Sequence, residues 1–264
     1  MGYPELGKAA EERGFESLFV PEHTHIPVTD GPRLDGSGEP MDPTWFRMPD
    51  PFVALGAVAA VTERLTLITA VSLLVQRDPI IFAKEAATLD LLSGGRLIVG
   101  VGAGNVLDEL RNHGVEPAQR GAVLDERMDA VKRLWTQDEA EYHGKFVDFN
   151  PVYSWPKPVQ QPHPPFYVGG WSRPALRRVA KRGDGWLAPP LPADDMRTKV
   201  ADLRDLAGRE VPVSVTYTPS DVEVVHAYEE IGVERVALIV PTLSRDETLT
   251  HLDTLAEFVA KYSN

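Results

Sequence analysis

"EERGFESLFV", residues 11–20, packs an acidic helix end, a glycine and an apolar run into one short stretch. "EEIGVERVALIV", residues 229–240, repeats that order near the other end of the chain. Gly14 and Gly232 fall where a helix C-terminus needs a left-handed residue, which glycine supplies without strain. "KRGDGWLAP", residues 181–189, presents the same idea around Gly183. A unit of helix, glycine stop and buried strand, used at least three times, predicts an α/β repeat with a parallel sheet.

Working outward, strand-like apolar runs lie at Ser17–Val20, Leu65–Val71, Arg96–Val101, Phe166–Val168, Trp186–Ala188, Val211–Thr216 and Arg235–Val240. They are apolar throughout instead of alternating, as expected where helices cover the sheet. Between them Leu124, Met128, Val131 and Trp135 step at helical spacing, as do Leu249, Leu252, Leu255 and Val259. Ser220 and Glu223 form a capping-box pattern for the helix that stops at Gly232. Two connections are long: residues 24–50, with five prolines, and residues 136–165, with "EYHGKFVDF" and "WPKPVQQPHPP". Loops of that length inside an α/β domain are usually lids or binding loops.

No composition shift divides the chain, so residues 1–264 are expected to form one domain. Seven strands with about eight helices predict a (β/α)₈ barrel. The chain opens directly on a helix, Pro4 to Arg13, so the expected barrel lacks its first strand. Either its seam is open or a strand lies upstream. The runs Ser17–Val20 and Arg235–Val240 would flank the vacant position.

The 264 residues are 43% hydrophobic, enough for a large core, and carry a formal charge of −12. Acidity without a basic run argues against nucleic acid and anionic membranes as partners. With no cysteine, disulfide and thiolate chemistry is excluded. No apolar run approaches the ~20 residues of a membrane span and no signal segment opens the chain, so a cytoplasmic protein is expected.

Three places carry candidate chemistry. In "FVPEHTHIP", residues 19–27, a strand runs into Glu22, His23 and His25. His23 and His25 could grip a divalent metal, yet the other strand ends ("TAVSLL", "VGAGN", "YVGGWS", "WLAPP", "VTYTP", "LIVPT") offer no further ligands, so no metal is expected. The bland alternative is a surface histidine pair beside a proline loop. "GVGAGN", residues 100–105, spaces its glycines evenly, unlike a dinucleotide fingerprint, and a turn needing positive φ explains it as well. "YVGGWS", residues 167–172, leads into a helix and suits an anion, or else simply caps that helix through Ser172 and Pro174.

"EERGFESLFVPEHTHIP", "AKEAATLDLLSGGRLIVGVGAGN", "PKPVQQPHPPFYVGG" and "RVAKRGDGW", in that order, closely resemble the bacterial luciferase-like superfamily. Within it the chain is most similar to the oxidoreductases that depend on the deazaflavin coenzyme F(420). That resemblance implies a barrel holding a flavin or deazaflavin at the C-terminal ends of its strands. It places Glu22 and His23 beside the reactive ring, His23 being the expected proton donor or acceptor and His25 loop structure. The family's non-prolyl cis peptide corresponds to Ala70–Val71, behind the ring. Gly102, Ala103, Gly104 and Asn105 would line the ring or its tail, and Gly169, Gly170, Trp171 and Ser172 would hold the phosphate. Ala103 stands where the luciferase branch has a phosphate-binding Arg, which favours F(420) over FMN. Asn105 stands where sugar-phosphate dehydrogenases of the group carry Glu, which argues against a sugar phosphate. The expected activity is hydride transfer between F(420) and a small organic substrate, in a homodimer. An FMN-dependent monooxygenase and a non-catalytic flavin-binding barrel are the alternatives.

Overall fold

The computed structural model describes residues 1–28 and 41–261. Nine strands are present among them: β1 (Ser17–Val20), β2 (Thr66–Thr69), β3 (Leu97–Val101), β4 (Glu139–His143), β5 (Asp148–Tyr153), β6 (Phe166–Gly169), β7 (Gly185–Ala188), β8 (Val213–Thr218) and β9 (Arg235–Leu238). The helices are α1 (Tyr3–Glu12), α2 (Pro51–Ala59), α3 (Pro79–Ser93), α4 (Leu107–Asn112), α5 (Arg120–Thr136), α6 (Arg173–Arg182), α7 (Ala193–Ala207), α8 (Val222–Ile231) and α9 (Arg245–Ala260).

Seven strands pair in parallel in the order β1-β2-β3-β6-β7-β8-β9 and curve into a nearly closed barrel. Its open seam lies between β1 and β9, as the sequence predicts. Burial follows from that position. All of β7 is buried, whereas every residue of β9 and three of the four in β1 are only half-buried. The mouth of the seam is not bare at its lower end: Arg235, at the start of β9, donates to both Glu16 carboxylate oxygens at 3.1 Å. Among the described residues no helix is long and apolar enough to cross a membrane.

Local chemistry explains the elements and corrects some expectations. Gly14 and Gly232 take φ of 80° and 88°, the left-handed stops expected of them. Gly183 does not; it is extended, at φ −89°. Its lack of a side chain serves packing, because a Cβ there would lie 3.1 Å from Val168 and from the Val179 backbone. The cap of α8 is Asp221, not Ser220, with its carboxylate accepting from the Glu223 and Val224 amides. A carboxylate one residue later outcompetes the hydroxyl at that helix end. The capping box that does form joins Ser244 and Glu247 at the start of α9.

The stretch 136–165 is not wholly a loop. β4 and β5 form an antiparallel hairpin, which the alternation in "EAEYH" and the Gly144 turn encode. Glu126 of α5 accepts the Lys145, Phe146 and Val147 amides and fastens the turn. In the other long connection, Pro43–Arg47 forms a 3₁₀ turn capped by Asp42, and residues 29–40 lie outside the described residues.

The Pro-rich remainder of 136–165 is held by one fully buried carboxylate. Asp90 of α3 accepts the Val159 amide, the Gln160 amide and the Gln160 side-chain amide, at 2.7–3.0 Å. Asp90→Ala would strand those donors without an acceptor. It should destabilise the protein by about 2–4 kcal/mol in chemical denaturation, and a loss under about 0.5 kcal/mol would contradict this role.

Candidate functional site

At the C-terminal ends of the strands a cavity of about 720 Å³ opens, well within the range of small-molecule sites. Every residue assigned above to catalysis or to the cofactor lines it: Glu22, His23, Ala70, Val71, Gly102, Ala103, Gly104, Asn105, Gly169, Gly170, Trp171 and Ser172. His25 does not line it. That imidazole bonds to Asn112 and Thr24 at 2.9 Å and lies tilted against the His113 ring, with centroids 5.4 Å apart.

The wall behind the cavity is built around Glu22, only 5% exposed. A carboxylate stripped of water must be met by donors, and four converge on it. Ser72 Oγ donates at 2.6 Å, the Leu73 amide at 2.8 Å, and Arg77 donates through Nε and Nη2. Arg77 also pairs with Asp50, the N-cap of α2, and with Glu85 of α3. Both Glu22 oxygens are therefore spent on the protein, so Glu22 shapes the wall and has no free oxygen for a ligand. This ties the exits of β1 and β2 together.

Between those exits the Ala70–Val71 peptide is cis. Val71 fills the space between two neighbouring strand ends. A Cβ on Gly102 would come within 2.5 Å of the Val71 side chain, and one on Gly169 within 2.8 Å. These two glycines are small to admit Val71, a reason distinct from direct approach to a ligand.

His23 follows Glu22 and turns into the cavity. Its Nδ1 lies 2.8 Å from Oε2 of Glu109 on α4, a carboxylate with no exposed surface. The Thr24 amide and hydroxyl donate to the other Glu109 oxygen at 2.8 and 3.1 Å. Burial alone would raise the Glu109 carboxyl, but the His23 and Thr24 hydrogen bonds outweigh it and hold its pKa below the ordinary 4.5. An ionised carboxylate can only accept, so Nδ1 carries the proton and donates. That leaves Nε2, which makes no hydrogen bond among the described residues, for whatever enters the cavity. Trp45 stacks on the imidazole, with ring centroids 5.0 Å apart and planes 17° apart, and closes that side.

The opposite end is cationic. Ser172 caps α6, its Oγ accepting from the Ala175 amide, and Gly170 takes φ of 109°. Trp186 Nε1 donates to the Gly170 carbonyl at 2.6 Å and steadies this turn. Arg120 and Arg178 line the same end. The helix N-terminus and Arg120 together make an anion corner, while the Arg178 guanidinium beside them is paired with Asp125 at 2.5 Å and bonded to the Gly121 carbonyl.

Sequence reasoning missed Glu109, Trp45, Arg120, Arg178 and Tyr217. Tyr217 lies at a register irregularity in β8, with φ of 52°, and the irregularity turns it to the cavity rim. Among the described residues no cluster of three or more His, Asp or Glu is disposed to hold a metal.

An uncharacterised Mycobacterium tuberculosis protein is 42% identical, across 96% of this chain and 92% of its own length. An FMNH(2)-dependent dimethylsulfone monooxygenase of Pseudomonas putida is 34% identical over 165 residues, 60% of this chain and 45% of that protein. Among solved structures, monooxygenase RslO1 of Streptomyces bottropensis superposes with a TM-score of 0.81 at 23% identity, covering 99% of this chain and 93% of that one. The coenzyme F420-dependent tetrahydromethanopterin reductase of Methanopyrus kandleri gives 0.65 at 22% identity, covering 84% and 64%. The family model described as luciferase-like monooxygenase matches residues 3–236, and the chain belongs to that family.

Proposed function

We propose that this protein is an oxidoreductase that transfers hydride between coenzyme F(420) and a small organic substrate. One observation carries the reading: a histidine whose Nδ1 is fixed by a buried carboxylate, with Nε2 left for the cavity. A deazaflavin, when bound, supplies a ring carbon that accepts or gives a hydride but no proton for the substrate oxygen. A positioned base or acid must do that part.

The residues present fit such a cofactor. The cavity is apolar at Ala70, Val71 and Leu187 and cationic at one end, which suits a flat ring carrying a phosphate. Ala70 and Val71 would back the ring, with Gly102–Asn105 along its edge. The phosphate would lie at Gly169–Ser172, with Arg120 and Arg178 beside it. His23 Nε2 takes the hydroxyl proton of an alcohol as its carbon loses hydride, and returns it to a carbonyl oxygen in the reverse direction. Glu109 keeps the tautomer that this requires and orients the ring, as the third member of such relays does. Trp45 excludes water from one face of the imidazole.

A second reading is an FMN-dependent monooxygenase. Its support is the likeness to the FMNH(2)-dependent enzyme, together with Arg120, which supplies a cation that Ala103 does not. Calorimetry decides between the two. Tighter binding of F(420) than of FMN under equal conditions is expected, and tighter FMN binding would overturn the lead reading.

His23→Ala should lower kcat by about 10²-fold or more with cofactor affinity largely kept. Unchanged turnover would return His23 to a structural role. Glu109→Gln should lower kcat about 10-fold, again with cofactor affinity kept. Its pH effect has a definite sign. A lowered native pKa contributes stability above the ordinary value of 4.5 that is lost as pH falls through the native value. The acid-side loss of stability should therefore be shallower in Glu109→Gln than in the parent, measured by denaturant midpoints from pH 6 down to about pH 3. Parallel curves would contradict the assignment.

A further inference from the structure

At the Glu109 oxygen that His23 does not use, four polar groups meet around one hydroxyl. Thr24 Oγ1 lies 2.7 Å from His113 Nε2, 2.9 Å from His25 Nδ1, 3.1 Å from Glu109 Oε1 and 3.4 Å from Gln76 Oε1. A hydroxyl has one hydrogen to give and two lone pairs with which to accept. Glu109 is ionised and can only accept, and at 3.1 Å it outcompetes the neutral Gln76 oxygen at 3.4 Å for that hydrogen. The two lone pairs are left for the two imidazoles. Both rings must therefore donate, His113 through Nε2–H and His25 through Nδ1–H.

A separate bond checks this assignment. A neutral ring with its proton on Nδ1 offers Nε2 as an acceptor, and the Asn112 side-chain amide donates to His25 Nε2 at 2.9 Å. The charges around His113 are those of His25, Glu109, Glu22 and Arg127. Partial burial first, and then the His25 ring, lower its pKa below the ordinary 6.5, so it is neutral just above neutral pH. The hydrogen bonds run one way. They pass from Asn112 through His25, and from His113, onto Thr24, and from Thr24 onto Glu109, which His23 meets at the other oxygen.

We propose that Thr24 is a positioning residue, its hydroxyl aimed by His25 and His113, that keeps the His23 proton on Nδ1. It protects the moment after proton uptake. Once Nε2 has taken a proton the ring is an imidazolium, and its Nδ1 proton could pass to Glu109 Oε2. That transfer would leave a neutral ring protonated on Nε2, unable to take another proton from the cavity until Glu109 returned its own. A carboxylate that already accepts from a hydroxyl and an amide is a weaker base. A hydroxyl that accepts on both lone pairs is a better donor. The array thus holds the charge on the imidazole and the exchangeable proton at Nε2, and gives His25 a part in the site although it lies outside the cavity. This rests on the reading of His23 as the group that exchanges a proton with the substrate.

Long-range proton–nitrogen-15 NMR of the whole chain, without cofactor and just above neutral pH, tests the inference. His25 should be protonated on Nδ1 and His113 on Nε2. Either ring protonated on its other nitrogen, or averaging between the two, would overturn the inference. Thr24→Val keeps the branched shape and the amide but removes the hydroxyl, which makes Glu109 the stronger base. The His23 Nδ1 proton should then move further downfield, and Thr24→Ser should hold it at the parent position. His25→Phe with His113→Phe frees the hydroxyl to turn and should move the same proton part of the way. A proton unmoved in Thr24→Val or in that double variant would overturn the inference. In turnover, Thr24→Val should lower kcat about 5-fold with KM kept, the equivalent of one ordinary hydrogen bond, and Thr24→Ser should match the parent. Unchanged turnover in Thr24→Val beside an impaired His23→Ala would overturn the inference and leave the proposed function intact. Unchanged turnover in both would overturn the two together.

Discussion

A carboxylate removed from water must be met by donors, and the Glu22 site shows what that constraint organises. Glu22 comes one residue after the proline that ends β1, and its partners come from the chain leaving β2. Removing Arg77 would leave a buried charge uncompensated, at a cost of about 3–5 kcal/mol. Because both oxygens are used, the backbone at Glu22 has one orientation, and the next side chain, His23, is delivered into the cavity. The same cluster fixes the segment from Ala70 to Leu73, so the cavity's rear wall and its reactive side chain share one support.

The cavity that results is polar at both ends in opposite senses. One end holds an imidazole backed by the buried Glu109 carboxylate, the other a helix N-terminus with Arg120 and Arg178. An anionic group is drawn to the second end and discouraged from the first. A ligand with a phosphate at one extremity therefore enters in one orientation, with its far end beside His23. Val71 keeps the middle apolar, and the small Gly102 and Gly169 make room for it.

Much of this was legible in the sequence, for identifiable reasons. Apolar runs after glycine stops report a parallel sheet because helices cover such strands, and Gly14 and Gly232 have the backbone that reading requires; the runs that follow them, β1 and β9, are only half-buried because they border the seam. Strand-end residues could be gathered into one site because a barrel brings all such ends to one rim. Gly183 misled because packing against Val179 selects glycine as strongly as positive φ does. The β4–β5 hairpin was hidden by its charged alternation. Glu109 was beyond reach for a different reason: it meets His23 across 86 residues of sequence through the placement of one short helix. Nothing near residue 109 distinguishes that Glu from a solvated one. Arg120 and Arg178 were hidden likewise, since a basic helix face in sequence does not say which cavity it borders.

The account depends most on the state of the His23 ring, which nitrogen-15 NMR of the selectively labelled imidazole reads directly at neutral pH. The account predicts the Nδ1–H tautomer, with a hydrogen-bonded, downfield Nδ1 proton that disappears in Glu109→Gln. A neutral ring protonated on Nε2, or one averaging freely between tautomers, would contradict it.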